Sequence, residues 1–230
     1  MTSPAAAEPD HQHQHHLDPE DLARMFSQEF WDERYASASA LWSGKPNQRL
    51  VEQVADLAPG TALDVGCGEG ADALWLASRG WQVTGLDISP VALGRAAARA
   101  AEAGPEIEAR VRWEQVDLLS WSPRSQVDLV SAQFIHLPPE ESQRVQRQLE
   151  AAVRPGGTLL VVGHDKSDLE TTVGRPPVPA LFASAAETAA RLDPDVWDVV
   201  VADALERTAL DPDGRTVTIR DAVMKAVRRS

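Results

Sequence analysis

The sequence predicts an α/β fold: a mostly parallel sheet with helices on both faces, ending in an antiparallel hairpin. Three observations predict it. Residues 61–66 form an apolar strand pattern (Ala62, Leu63, Val65). It enters a turn holding Gly66, Gly68 and Gly70, and a helical pattern (Ala71, Leu74, Trp75) follows at once. Strand and helix patterns then alternate as far as residue 163, which is how a parallel sheet covered on both faces is written. The last third breaks the alternation. Two extended stretches, 196–208 and 216–227, flank Asp211-Pro212-Asp213-Gly214, a turn signal between antiparallel strands.

Residues 1–17 are rich in Ala, Pro, Glu and His and have no periodicity, so they read as a disordered, solvated tail. The tail's His11, His13, His15 and His16 are read as solvated, not as a metal site, and no metal is expected. Asp18 and Pro19 suit a helix cap and first turn, opening a helix to about Tyr35. A second helix starts near Asn47, carries Leu50, Val51, Val54 and Leu57 at core spacing, and stops before Pro59-Gly60. Strands are expected at 61–66, 81–86, 111–117, 127–132 and 157–163, and helices at 69–79, 89–103 and 139–153. Residues 166–180, with Gly174, Pro176, Pro177 and Pro179, read as a long loop over the substrate side. The organisation is therefore a tail (1–17) and one domain (18–230). That domain has a helical cap at 18–58, a ligand-binding core at 59–165, and a loop, helix and hairpin at 166–230.

The chain of 230 residues suits one core. Its formal charge of −13 argues against nucleic acid, whose phosphates need a basic face. The single cysteine fits a reducing cytoplasm, no apolar run approaches a membrane span, and the N-terminus lacks a signal pattern. A cytoplasmic enzyme for a small molecule is expected, monomeric or homodimeric, with no membrane partner.

The glycine turn carries the functional signal. Its glycines let the backbone bend sharply and approach a nucleotide-like ligand. Asp87, about 20 residues on at the end of the second strand, is placed to accept ribose hydroxyls. Gly66-x-Gly68-x-x-Ala71 also satisfies a loose dinucleotide fingerprint, so the turn alone leaves a nicotinamide-dependent oxidoreductase open. Asp64 separates the two. Dinucleotide strands stay apolar up to the first glycine, whereas here a carboxylate stands two residues earlier, where it can face a cationic amino group.

Leu63-Asp64-Val65-Gly66-Cys67-Gly68-Glu69-Gly70 closely resembles the first motif of class I S-adenosylmethionine-dependent methyltransferases. Gly85-Leu86-Asp87-Ile88-Ser89 resembles their ribose segment, and Val116-Asp117-Leu118 their adenine-edge segment. Val127–Ser131 resembles the fourth strand and Arg154-Pro155-Gly156-Gly157-Thr158-Leu159 the turn into the fifth. The series runs in order through residues 60–165. The resemblance implies a Rossmann-like seven-stranded sheet, S-adenosylmethionine as cofactor and S-adenosylhomocysteine as product. It also implies site roles: Asp64 serves the methionine amino group, while Gly66, Cys67 and Gly68 bring backbone to the cofactor. Asp87 holds the ribose, Ile88 packs on the adenine, Asp117 and Leu118 meet its edge, and Gln133 lies along the cofactor. Cys67 has no neighbouring base and reads as a small turn residue, not a nucleophile.

Two histidines fall at strand ends, His136 after the fourth and His164 after the fifth. Both open toward the expected methyl position, and either can serve as a general base with a pKa near the working pH, His164 first. Phe30–Tyr35 and Leu41–Asn47 resemble the lead-in segment of the thiopurine and tellurite-resistance methyltransferases, which caps the cofactor and helps form the substrate pocket. On that likeness Trp42 covers the cofactor, and Trp31, Tyr35 and Asn47 line the substrate side. A non-catalytic module on the same fold is the remaining alternative. The accepting atom stays open among sulfur, another chalcogen, oxygen and nitrogen.

Overall fold

A computed structural model of the chain describes residues 23–176 and 178–230. The expected tail, its histidines and the helix start at Asp18–Glu20 lie outside the described residues. The chain builds α1 (Gln28–Ala36), α2 (Gln48–Val54), β1 (Thr61–Val65), α3 (Ala71–Ser78) and β2 (Gln82–Asp87). It continues through α4 (Pro90–Ala103), α5 (Pro105–Glu108), β3 (Val111–Gln115), β4 (Val127–Gln133), α6 (Pro139–Ala152) and β5 (Val153–His164). Short 3-10 turns at Lys166–Glu170 and Pro179–Leu181 lead to α7 (Ala185–Ala189), β6 (Trp197–Leu210) and β7 (Thr216–Arg228).

The strands form one sheet of seven in the order β3-β2-β1-β4-β5-β7-β6. β1 to β5 pair in parallel, and β7 pairs antiparallel with both β5 and β6. The chain steps outward from β1 to β3, then crosses back to β4 on the other side of β1. That reversal makes a switch point between β1 and β4, and in open α/β sheets the ligand crevice lies beyond the strand carboxyl ends there. Alternate side chains feed two cores. Leu63, Val65, Val130 and Leu159 pack on one face with Val145 and Leu149 of α6. Ala62, Val83, Leu129, Leu160 and Val162 pack on the other with Leu50 and Val54 of α2 and Leu76 of α3.

The elements depart from the sequence reading in three places. The expected helix to Tyr35 is interrupted at Met25–Ser27, because the Ser27 hydroxyl accepts from Phe30 N and caps α1 anew. β3 ends at Gln115, not 117, and the Asp117 carboxylate instead accepts from Leu119 N at 2.8 Å in a local turn. β5 begins at Val153, where α6 was expected to persist. Val127 pairs with Val153 but Leu129 with Thr158, so Arg154–Gly157 bulge out of register. Gly70 has φ +82°, and a Cβ there would stand 2.7 Å from the Trp113 ring, so backbone and packing both require glycine at the start of α3. No described helix is long and apolar enough to cross a membrane.

Candidate active site

A cavity of about 860 Å³ opens at the switch point and runs from the glycine turn to the end of β5. Fourteen of the residues expected from sequence border it: Trp31, Tyr35, Trp42, Asn47, Gly66, Cys67, Gly68, Asp87, Ile88, Asp117, Leu118, Gln133, His136 and His164. Asp64 does not border it. That carboxyl lies beneath the turn, buried, with Oδ2 lacking a hydrogen-bond partner among the described residues.

The turn is held by β2. Gly66 N and Cys67 N both donate to Leu86 O, at 2.8 and 3.0 Å. Asp87 accepts from Gly68 N on Oδ2 at 2.8 Å and from Ser89 N on Oδ1 at 2.9 Å. Each oxygen keeps a further lone-pair direction for a ligand hydroxyl. Gly68 has φ +51°, and a Cβ there would stand 2.8 Å from the Tyr35 hydroxyl. The space above the turn is therefore a cradle that only glycine leaves open. Burial pushes the Cys67 thiol well up, and the Asp64 and Asp87 carboxylates add to the shift, so it is a neutral thiol.

Asp72, in the first turn of α3, belongs to the same acidic floor and was not singled out by sequence. It accepts from Asn47 N at 2.6 Å, and burial pushes its carboxyl up to about 6. Asp64 is pushed well above the carboxylate range by burial, then by the charges of Asp72 and Asp87. Three acids with one orphaned oxygen suit a cationic ligand group. These residues fit S-adenosylmethionine: a cationic group suits the acidic floor, hydroxyls suit the open Asp87 oxygens, and the glycine cradle leaves room above the turn.

The segment expected to form a lid is anchored by Glu69, which the sequence reading left without a role. Its buried carboxylate accepts from Leu41 N at 3.5 Å, Trp42 N at 3.4 Å and Arg95 Nη1 at 2.9 Å, and pairs with Arg99 at 3.4 Å. Trp42, 48% exposed, donates its indole N–H to the Tyr35 hydroxyl at 3.1 Å. Burial raises the Tyr35 phenol, keeping it protonated. The Asn47 side chain caps α2 by accepting from Arg49 N at 2.8 Å, so its contribution to the acidic floor is its backbone N–H.

The β4–β5 end differs in character. The His136 and His164 rings stack at 5.0 Å and 13°, with Phe134 on His164 at 4.5 Å and Phe182 beside His136 at 5.2 Å. Phe134 has φ +55°, rare for an aromatic and the kind of backbone strain that clusters at functional sites. His164 N donates to His136 Nε2 at 3.4 Å. The expectation of a histidine pKa near the working pH is corrected here. Burial pushes His136 down to about 4, and burial with the nearby Arg175, His136 and Arg207 pushes His164 down to about 2. Both imidazoles are neutral, so the 3.9 Å approach of His164 Nδ1 to Asp168 is no ion pair, and Nδ1 has no described hydrogen-bond partner. Gln133 donates to Ser131 Oγ at 2.8 Å, leaving Oε1 similarly unpartnered.

Arg175 and Arg207 also border the cavity. Neither was anticipated, because one lies in the loop after β5 and the other on an outer strand. Among the described residues no group of three His, Cys, Asp or Glu is placed to hold a metal ion.

Comparison with known proteins gives a consistent picture. The family described as a methyltransferase domain matches residues 62–157. A 2-heptyl-1-hydroxyquinolin-4(1H)-one methyltransferase of Mycobacteroides abscessus is 30% identical over 164 residues, 68% of this chain and 71% of that protein. A trans-aconitate 2-methyltransferase of Rhizobium meliloti is 32% identical over 129 residues, 55% of this chain; the match spans 47% of that protein, about half its length. The solved structure of the N-methyltransferase NodS from Bradyrhizobium japonicum with S-adenosylhomocysteine superposes with a TM-score of 0.66 at 17% identity. It covers 88% of this chain and 98% of NodS, a likeness of fold.

Proposed function

The chain belongs to the class I S-adenosylmethionine-dependent methyltransferases, with S-adenosylmethionine as cofactor, and from that premise we propose that it methylates a small molecule seated between His136, His164 and the lid. The observation that carries this reading is the single cavity joining the Gly66–Gly68 cradle to the histidine end. The aromatic residues Phe30, Trp31 and Tyr35 of α1 border it, together with Trp42. A roofed chamber of that size suits a compact acceptor, whereas a nucleic acid needs an open basic face. The two relatives named above act, by their names, on small molecules, a hydroxyquinolinone and trans-aconitate.

The cofactor supplies an activated methyl group on a cationic sulfur. The chain's own work is then positioning. In this reading Asp87 takes the ribose hydroxyls, Ile88, Leu118 and Asp117 take the adenine, and Asp72, backed by Asp64 beneath the turn, takes the methionine amino group. Gly66, Cys67, Gly68 and Gln133 line the path between them, while Trp31, Tyr35 and Trp42 exclude water. Aromatic faces also stabilise a cation. His136 and His164 offer neutral nitrogens that orient the acceptor.

The test is S-adenosylhomocysteine formation, measured across panels of hydroxylated, carboxylated, thiol and amine small molecules, with a protein and an RNA as further acceptors. Turnover confined to small molecules is expected. Efficient turnover on the macromolecules alone would overturn the reading.

A further inference from the structure

Two arginines, Arg175 and Arg207, border the cavity together with His136 and His164, while Asp72 and Asp87 border it with the glycine turn. We propose that the acceptor is an organic anion whose acidic group is held by Arg175 and Arg207. This rests on the reading of the histidine end as the acceptor site and adds the chemical class of the acceptor.

Each guanidinium is aimed by a buried carboxylate. Arg175 donates from Nε and Nη2 to Asp168 Oδ2, at 3.3 and 2.9 Å. Asp168 is fully buried and is itself fixed by Arg220 N, which donates to Oδ1 at 2.9 Å. Arg207 donates from Nε to both oxygens of Asp221, at 3.0 and 2.9 Å, and makes no bond from either Nη to a described residue. Asp221 sits on β7 directly across from His164 on β5. A carboxylate that engages only the Nε side leaves the outer fork of a guanidinium as a preformed bidentate donor for an oxygen acid.

Asp221 is shared, since it also binds Arg49 Nε at 3.1 Å, while Arg49 in turn pairs with Glu52 at 2.9 Å. An anion would gain charge-assisted hydrogen bonds from the outer edges of Arg175 and Arg207, whereas a protonated amine would find only donors there. Buried ion pairs are poor devices for stability, since apolar packing serves as well. Two of them placed to present arginines to a cavity serve binding instead.

An anionic acceptor also suits the reaction. A cationic methyl donor and an anionic nucleophile would neutralise each other as the methyl passes. The acceptor's acidic oxygen forms the new bond to carbon with its own electron pair, the carbon–sulfur bond breaks toward sulfur, and no proton need be removed.

The experiment uses the full chain saturated with S-adenosylhomocysteine and two isosteric probes, benzoate and benzamide, titrated by ligand-observed NMR. Benzoate is expected to bind at least about tenfold tighter than benzamide, the worth of one charge-assisted contact. In R175Q and R207Q that preference should shrink by a similar factor while S-adenosylhomocysteine affinity stays as in the wild type. Equal binding of the two probes, or a preference untouched by both substitutions, would overturn the proposal. Failure of the wild type to bind S-adenosylhomocysteine would instead indict the cofactor site, a separate result.

Discussion

The Asp87 carboxylate accepts the Gly68 amide at 2.8 Å, so the residue expected to hold the ribose also holds the turn expected to cradle the cofactor. Its second oxygen takes Ser89 N, and an asparagine cannot reproduce that pair, because one side of its amide would face a backbone N–H with its own N–H. Asp87→Asn is therefore expected to behave almost like Asp87→Ala. Both should weaken S-adenosylhomocysteine binding by roughly 1.5–3 kcal/mol, the range for hydrogen bonds to a charged group. Calorimetry giving wild-type affinity for the asparagine variant would mean that the turn stands without this carboxylate.

Gly68→Ala meets two obstacles, the left-handed φ of +51° and the Tyr35 hydroxyl 2.8 Å from the new carbon. The first costs about 1–2 kcal/mol wherever a side chain is forced into that region. The second disappears when Tyr35→Phe removes the oxygen. The double variant should recover part, but not all, of the thermal stability lost in Gly68→Ala. Strict additivity of the two melting-point changes would show that the hydroxyl is not what the alanine strikes.

Glu69 ties the lid to the helix behind the turn. In Glu69→Gln the amides of Leu41 and Trp42 and the guanidiniums of Arg95 and Arg99 lose a shared anion. Removing one partner of buried charges costs about 3–5 kcal/mol in the worst case, so the melting temperature must be followed alongside function. The specific expectation is a KM for S-adenosylmethionine raised about tenfold or more, with the accessibility of Trp42 to iodide quenching increased. A stability loss with unchanged quenching and KM would confine Glu69 to a structural role.

How the site could be read from sequence follows from where its parts lie along the chain. The glycines, Asp87 and Asp117 fall within one stretch of chain and all border the cavity, so local pattern pointed to them, whereas Asp64 from the same stretch lies beneath the turn. The parallel sheet and the hairpin followed from alternation and a turn signal, whereas the strand order is set by tertiary pairing. Glu69 sits inside the same turn yet escaped notice, because its partners Leu41, Trp42, Arg95 and Arg99 are brought to it only by tertiary packing. Arg175 and Arg207 escaped for a similar reason. Their significance depends on Asp168 and Asp221 and on the pairing of β5 with β7. The histidines were located correctly, but their titration was not, since burial and neighbouring arginines are invisible in a linear string. Arg49 was legible only as a polar residue among apolar ones, although it is buried and joins α2 to the hairpin.

That depressed titration yields a kinetic expectation. A general base operating near neutrality would produce an acidic limb in the pH–rate profile near its pKa and a loss of ~100-fold or more when removed. With His164 pushed down to about 2, no limb between pH 5 and 8 should belong to it. For an acidic acceptor, His164→Gln should lower kcat by less than about tenfold. A neutral-pH limb present in the wild type and absent from the variant would restore the general-base role.

The acidic floor gives the last prediction. Burial holds the Asp72 carboxyl at about 6, above its unfolded value near 3.8. Between those values the folded state keeps a proton that the unfolded state has released, so stability from this group falls as pH rises through that window and levels off above about 6. The full effect is on the order of 3 kcal/mol. His136 and His164 act with the opposite sign. Their folded pKa values lie below the unfolded one, so the unfolded state gains protons as pH falls below about 6.5 and their contribution is lost on acidification. The wild-type curve superimposes the two, and Asp72→Asn separates them. Without ligand, the variant should melt higher than the wild type at pH 7.5, and the gap should close toward pH 4. The same charge that destabilises the floor should favour an ammonium. S-adenosylhomocysteine affinity should therefore fall in Asp72→Asn, and in the wild type as pH drops through about 6. The thioether nucleoside 5′-methylthioadenosine lacks the amino-acid end and should bind with little pH dependence over the same range. Parallel pH profiles for the two ligands would show that neither Asp72 nor Asp64 receives the amino group.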